Sequence, residues 1–239
     1  MRLVSIILLV LIFCGTAIGQ VDQIKSSSGG RSRGGETSSG GSGAGFVFDL
    51  FFNVFIGEVI YAQQEKLRRR DEIPGLVSLD LMLQGAAQPS SYYILNPRVR
   101  ANWALFSTDF RLNYIVEEDI EKMKHIRTNE WQILQFNIVT TEDALFRVGA
   151  GFIQEAYENR NYYSEWTTAL QIHPANSRFG GFLEYRDSDM RKEINSYATY
   201  KLFDQKAFHG YLTGGVVYQR YFREVTTWGL QTGLIVRLY

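Results

Sequence analysis

From residue 74 to its end, the chain alternates apolar and polar side chains with a period of two. The last segment shows the pattern well, because Leu230, Leu234, Val236 and Leu238 recur at even positions between polar residues and glycine. Successive side chains of a β-strand point to opposite faces, so each alternating segment predicts a strand with one apolar face. Ten such segments follow one another, and they predict ten strands.

The connections between these segments indicate how the strands are joined. Long connections, such as Gly85–Pro97 and Glu117–Asn129, alternate with short ones, such as Phe106–Thr108 and His173–Ser177. Long and short loops at opposite ends are typical of outer-membrane barrels. The sequence therefore predicts an all-β fold, an up-and-down antiparallel transmembrane β-barrel of about 10 strands, with 8 or 12 as alternatives.

The chemistry of the two faces indicates which face meets the surroundings. A soluble barrel of the lipocalin type has an apolar interior and charges outside. Here the apolar face carries Leu, Val, Phe, Tyr and Trp over about the ~9–11 residues that a tilted membrane strand needs. We therefore expect the other face to line a narrow interior sealed by mutually paired charges. Its polar residues are Asp80, Arg98, Arg100, Arg111, Arg147, Glu165, Glu184 and Arg186.

The first residues have the pattern of an export signal. Arg2 precedes an apolar stretch, Leu3–Phe13, that only Ser5 interrupts, and Ala17 and Gly19 are small residues at the positions that a signal peptidase reads. We predict a signal peptide at 1–19, with cleavage before Gln20. A lipoprotein signal at the single cysteine, residue 14, is the alternative, although the bulky phenylalanine before it does not suit a lipobox.

Residues 20–45 form a Gly/Ser-rich segment that has few apolar side chains to bury. Such a segment cannot offset the entropy cost of ordering, so we predict a disordered tether here. Its glycines are not followed by the Lys-Ser/Thr pair of a phosphate-binding loop, and no strand precedes them. The segment therefore predicts no nucleotide site.

Residues 46–73 predict an amphipathic helix or periplasmic segment. A narrow polar stripe that includes Asp49 and Asn53 interrupts an otherwise apolar surface. The helix could pack on the barrel, lie in the membrane interface or dock another subunit, and strand pairing of residues 46–60 remains an alternative. The partner-docking residues of this interpretation are Phe48, Phe51, Phe52 and Phe55.

Charge and histidine content limit the possible chemistry. The chain has 25 basic and 25 acidic residues, so no overall field favours nucleic acid. Lipid chemistry would need a His at the outer rim, where we place only His125, with no serine evidently beside it. The acidic run Glu117–Asp119 is interpreted as a solvated loop rather than a cation site. We therefore expect no catalytic residue, no metal site and no cofactor.

Over residues 76–239 the chain resembles the small outer-membrane β-barrel proteins of diderm bacteria, and its cleavage region and tether are similar to those of Bacteroidota envelope proteins. The closing "GLIVRLY" resembles the signal that the barrel-assembly machinery reads, with Leu234, Val236 and Leu238 in the lipid-facing register and Tyr239 one residue out of it. The resemblance implies an outer-membrane location, contact with outer-membrane lipid and a periplasmic N-terminus.

A sealed barrel with an additional apolar segment suggests a non-catalytic role. We predict an accessory or structural subunit that interacts with another envelope protein. The alternatives are a narrow solute channel and an outer-membrane lipid-modifying enzyme.

Overall fold

A computed structural model describes most of the region from residue 76 to the end of the chain, together with one segment near the start. The described residues are 20–29, 63, 65, 67–68, 76–88, 92–118, 123–141, 143–156, 160–174, 177–205 and 207–239. The predicted signal peptide and the docking residues Phe48, Phe51, Phe52 and Phe55 lie outside them.

Ten antiparallel strands close into a single barrel in the described part of the chain. Each strand pairs with its neighbours in sequence, and β1 pairs with β10 to complete the barrel. The predicted up-and-down, ten-stranded barrel is therefore confirmed. The strands are β1 Val77–Gln88, β2 Tyr92–Trp103, β3 Phe106–Glu118, β4 Met123–Thr140, β5 Ala144–Glu155, β6 Tyr162–Ile172, β7 Phe179–Ser188, β8 Arg191–Gln205, β9 Phe208–Tyr221 and β10 Val225–Leu238.

The last strand closes the barrel. Its register against β1 runs from Leu79 opposite Leu238 to Ala87 opposite Leu230, and β9 covers its other edge. The backbone N–H of Tyr239 donates to the carbonyl oxygen of Ala207 at 3.0 Å, which ties the last residue to the β8–β9 connection. Every edge is thus paired, as closure of a sheet requires.

The predicted difference in loop length between the two ends is wrong. We call the end that holds Leu76 and Tyr239 the terminal end, and the opposite end the cap end. At the cap end, only residues 89–91, 119–122, 156–161, 189–190 and 222–224 separate the strands. Much of the sequence expected in long loops continues the strands, because cross-strand pairing extends beyond the apolar stretches that identified them. β4 alone has 18 residues.

The two walls of the barrel differ as the sequence predicted. Along β1, exposed and buried positions alternate strictly from Val77 to Gln84. Apolar side chains such as Leu81 and Leu83, 42% and 55% exposed, form the outer wall. Aromatic side chains gather towards its ends, for example Phe152 and Tyr162 with ring centroids 5.7 Å apart near the β5–β6 connection. The polar side chains point into the interior.

A helix, α1 (Gln20–Gly29), lies against the cap end. Val21 and Ile24 are 1% and 0% exposed, because they pack among apolar side chains at the barrel mouth. The first ten residues of the predicted tether are therefore ordered, and burial of this apolar pair is the physical reason. No helix among the described residues is long and apolar enough to cross a bilayer.

Only scattered residues of the segment 46–73 are described. Residues 63, 65, 67 and 68 are helical. At the terminal end, the side chain of Gln63 donates to the carbonyl oxygen of Trp103 at 3.0 Å and accepts from the backbone N–H of Leu105 at 2.8 Å. This part of the segment therefore contacts the β2–β3 connection, at the end of the barrel opposite α1.

Candidate functional site

The barrel interior holds a dense network of charged side chains. The alternation of each strand points these residues inward, and the eight interior residues proposed from the sequence are between 0% and 2% exposed. Guanidinium and carboxylate groups from opposite sides of the barrel meet there. The eight residues are Asp80, Arg98, Arg100, Arg111, Arg147, Glu165, Glu184 and Arg186.

One part of the network centres on Arg98 of β2. Its guanidinium donates to both carboxylate oxygens of Asp109, and its Nη1 and Nη2 donate to Glu184 at 2.8 and 2.6 Å. Arg100 donates through Nε to Asp109 at 2.9 Å. The guanidinium carbons of Arg98 and Arg100 lie 6.0 and 5.7 Å from the ring centre of Phe182, within cation–π range. This part connects β2 and β3 to β7 across the interior.

A second part centres on Glu130 of β4. Glu130 accepts hydrogen bonds from Arg111 at 2.7 Å, from Arg186 at 3.1 Å and from Arg191 at 2.6 Å. Glu165 also accepts from Arg186 and Arg191, at 3.2 and 3.3 Å. Each carboxylate therefore has more than one cation, which is the arrangement that a buried charge requires.

Arg147 differs from the other interior arginines. It is 1% exposed, and its Nε and Nη1 have no hydrogen-bond partner among the described residues. Asp80 is instead paired with Arg237, with Oδ1 2.6 Å from Nε and Oδ2 3.0 Å from Nη2. The sequence identified Arg147 as an interior charge, but it did not indicate that this guanidinium would differ from its neighbours.

The wall formed by β9, β10 and β1 is largely neutral in its central part. Glycines and amides, such as Gly215, Gln231, Gly233 and Gln84, occupy its inward positions. The side-chain amide of Gln231 donates to Asn195 at 2.5 Å. The charges are therefore concentrated on β2–β8, opposite a wall of small and uncharged side chains.

The cap end has an apolar lining rather than a charged one. Tyr92, Ile115, Ile126 and Ile153 belong to one buried cluster with Val21 and Ile24 of α1. The full cluster is Val21, Ile24, Ala86, Tyr92, Ile94, Ile115, Ile126, Ile153, Met190, Val217, Tyr221, Phe222 and Val225. The helix therefore covers an apolar mouth above the charged interior.

Polar contacts hold the two ends of α1. The carboxylate of Glu117 accepts from the backbone N–H groups of Gln20 and Val21 at 3.2 and 3.0 Å. Farther along the helix, the hydroxyl of Ser27 donates to Glu224 at 2.6 Å. Glu117 is 4% exposed, so its expected place in a solvated acidic loop is wrong. β3 continues to Glu118 and turns the Glu117 side chain inward.

Several members of the network were not identified from the sequence. Arg191 and Glu193 fall in the segment 187–193, which the sequence predicted as a long loop. Glu130 directly follows the predicted loop 117–129, and Asp109 directly follows the predicted turn 106–108. Each lies on a strand that is longer than its apolar stretch. If the inward-facing positions of each strand are extended beyond its apolar stretch, these residues are identified as interior.

Two of the three histidines lie apart from the charged interior, whereas His173 lines a small cavity together with Asp80 and Arg237. His125 is on the outward face of β4, 5.6 Å from Tyr114 between ring centres. At the terminal end, His209 contacts Asp204 through Nε2 at 2.6 Å and the hydroxyl of Tyr239 through Nδ1 at 2.8 Å. His173 lies in the β6–β7 connection, where partial burial lowers its pKa. Among the described residues, no cluster of His, Cys, Asp or Glu could hold a metal ion.

A small cavity lies in the interior near the terminal end. Its volume is about 20 Å³, and Asp80, Arg100, Phe182, Tyr197 and Arg237 are among its lining residues. A space of this size holds about one water molecule. It does not form a solute path.

The fold and interior define a closed antiparallel barrel with an apolar outer wall and a charge-filled interior. No protein-family model matches the chain, and no curated protein matches it. Among solved structures, it is similar to the N-terminal β-barrel domain of OprF from Pseudomonas aeruginosa. The two are 12% identical, with coverage of 67% of this chain and 97% of that chain and a TM-score of 0.33.

Proposed function

We propose that the chain is an integral outer-membrane β-barrel that performs no catalysis and serves as an accessory or structural subunit of the cell envelope. The apolar outer wall would face lipid, and outer-membrane insertion would use the barrel-assembly machinery. The closing strand, with Leu234 and Leu238 outward at 50% and 36% exposure and Tyr239 after them, would carry the signal for that insertion.

The observation that carries this proposal is the inverted polarity of the barrel. Leu83 is 55% exposed on the outer wall, whereas Arg186 is fully buried inside. In water, a protein gains by burying leucine and exposing arginine. The reverse arrangement is favourable where lipid surrounds the barrel, so the membrane is the environment that these strands suit.

The barrel interior lacks a wide path for a solute, because guanidinium and carboxylate groups fill it and α1 covers its apolar mouth. This favours a role in interaction over one in transport. The apolar segment 46–61, with Phe48, Phe51, Phe52 and Phe55, has more apolar side chains than a tether needs. We propose that it docks another envelope protein.

The proposed docking is tested by affinity purification in mild detergent, read by mass spectrometry. The tagged full chain is compared with one that lacks residues 46–61 and with a matched control that lacks residues 30–45. A stoichiometric partner should be retained by the full chain and the control, and lost with residues 46–61. If no partner is retained by the full chain, or if removal of residues 30–45 has the same effect, the proposed role fails.

A narrow path for water or a small neutral solute is the second candidate. Several buried amide and hydroxyl atoms beside the neutral wall have no hydrogen-bond partner among the described residues. They are Gln84 Nε2, Asn96 Oδ1, Asn195 Nδ2, Thr213 Oγ1 and Gln231 Oε1. Buried polar atoms in this situation are commonly satisfied by water. Osmotic swelling of liposomes that contain the protein, compared with empty liposomes, distinguishes this candidate from a sealed barrel.

A further inference from the structure

Glu117 is a buried carboxylate at the cap end of the barrel, and its hydrogen bonds come from the start of α1. Its Oε1 lies 3.2 Å from the backbone nitrogen of Gln20, and its Oε2 lies 3.0 Å from that of Val21. The side chain is 4% exposed. Two backbone amides therefore donate hydrogen bonds to this carboxylate.

Glu117 differs from the carboxylates deeper in the interior. Asp80, Glu130 and Glu184 each pair with at least one guanidinium. No ion pair among the described residues involves Glu117, and the neighbouring Lys124 contacts Asp22 at 2.5 Å. The two amide N–H groups compensate part of the hydration that Glu117 loses on burial, but they do not supply the opposite charge that the deeper carboxylates have. A cation at the nitrogen of Gln20 would supply the missing charge.

We propose that Glu117 is a binding site for the α-ammonium group of the mature chain, which begins at Gln20. This proposal rests on the predicted signal cleavage. Hydrolysis of the Gly19–Gln20 peptide bond adds water across it, leaving a carboxylate on Gly19 and an amino group on Gln20. An α-amino group has a pKa of about 7.7–8.0 in model peptides, so it is protonated at neutral pH.

The rest of the site selects an apolar segment behind the amino group. Val21 and Ile24 are three residues apart, so they share one face of α1. Both are buried in the mouth among Tyr92, Ile115 and Ile153. The preferred ligand is thus a peptide amino terminus with apolar residues at its second and fifth positions, which the processed chain provides for itself.

This arrangement couples processing to closure of the barrel mouth. Before cleavage, Gln20 presents an uncharged amide to Glu117; after cleavage it presents an ammonium group. A hydrogen bond that joins two charges is stronger than one with a neutral donor. The processed chain therefore holds α1 in the mouth more tightly than the unprocessed chain.

The test measures hydrogen exchange of the backbone amides from Val21 to Ser27 in detergent micelles. Three proteins are compared: the mature chain, the same chain with Gly-Ser before Gln20, and the mature chain with Glu117→Gln. Protection should fall by about tenfold or more in the second and third proteins. Combining the extension with Glu117→Gln should cause little further loss, because both changes remove the same ion pair.

Glu224→Gln is the matched control. Glu224 contacts Ser27 from an exposed position near the other end of α1, so its loss should change protection much less than loss of Glu117. The extended chain carries no substitution in the barrel. A loss of protection in that chain therefore cannot be due to a folding defect of the kind that Glu117→Gln could cause.

Equal protection in the mature and extended chains would overturn the proposal. So would amino-terminal sequencing that starts at another residue, or an intact mass that shows Gln20 cyclised, because neither leaves an ammonium group at this position. These results do not depend on partner capture. Failure of this inference is therefore distinguishable from failure of the proposed envelope role.

Discussion

Arg186 of β7 reaches across the barrel to Glu130 of β4, with Nη1 and Oε2 3.1 Å apart. Two strands, β5 and β6, separate these residues in the wall, and both side chains are fully buried. The contact therefore joins two strands that are not neighbours in the wall. Such contacts brace the barrel and occupy the space through which a solute would pass.

Removal of the Glu130 charge should destabilise the barrel strongly. Glu130→Gln leaves Arg111, Arg186 and Arg191 without the carboxylate that they share. Breaking a buried ion pair from one side costs about 3–5 kcal/mol. The free energy of unfolding, measured by urea titration in lipid vesicles, should fall by about that amount. Glu224→Gln, at an exposed position, should change it by less than about 1 kcal/mol, and equal effects of the two changes would argue against the network.

Conductance should require two changes together. The chain that lacks residues 20–29 retains the charged interior, and the double variant Glu130→Ser with Arg186→Ser retains α1 over the mouth. Each should remain closed in planar bilayers, whereas their combination should conduct. The double variant removes one cation and one anion, so the net charge of the interior is unchanged. A current through the chain that lacks only α1 would show that the interior network is not the seal.

A charge on the outer wall should be costly in proportion to its depth in the membrane. Leu83 lies near the middle of β1 and Val77 at its start, and they are 55% and 46% exposed on the same face. Leu83→Arg should lower the free energy of unfolding by about 2–4 kcal/mol, and Val77→Arg by about 0–1 kcal/mol. Urea titration of the protein in vesicles measures both values. Equal costs would indicate that the outer wall does not cross lipid.

Gly151 should not tolerate a side chain. A Cβ atom there would lie 2.0 Å from the carbonyl oxygen of Trp131 and 2.6 Å from the Cα of Gln132, where the register between β4 and β5 shifts. Gly151→Ala therefore forces the backbone to move, at a cost of about 1–3 kcal/mol or more. Gly181→Ala is the matched control, because no atom lies within 4 Å of its Cβ position. Comparison of the two urea midpoints tests the prediction.

Much of the barrel could be predicted from the sequence because the two walls face different surroundings. Alternation along segments such as Phe179–Tyr185 assigns each side chain to a wall, and an apolar outer wall opposite a charged interior makes that assignment strict. The strand number followed from this period, whereas the up-and-down connection was predicted from the loop lengths. Those loop lengths were wrong, because strand residues beyond the apolar stretch of the outer wall are no longer apolar on that face. Glu117 was assigned to a loop and Glu130 was left out of the interior set for that reason.

The sequence by itself determined the two walls, the approximate number of strands and the presence of paired charges inside. Only the tertiary structure decided which charges meet, because Arg186 and Glu130 are 56 residues apart and become neighbours when the barrel closes. The tertiary structure also places α1 at the mouth of the barrel, where Val21 and Ile24 pack against apolar side chains from several strands. Alternation is a local property of each strand, whereas these pairings depend on curvature and register summed around the whole barrel.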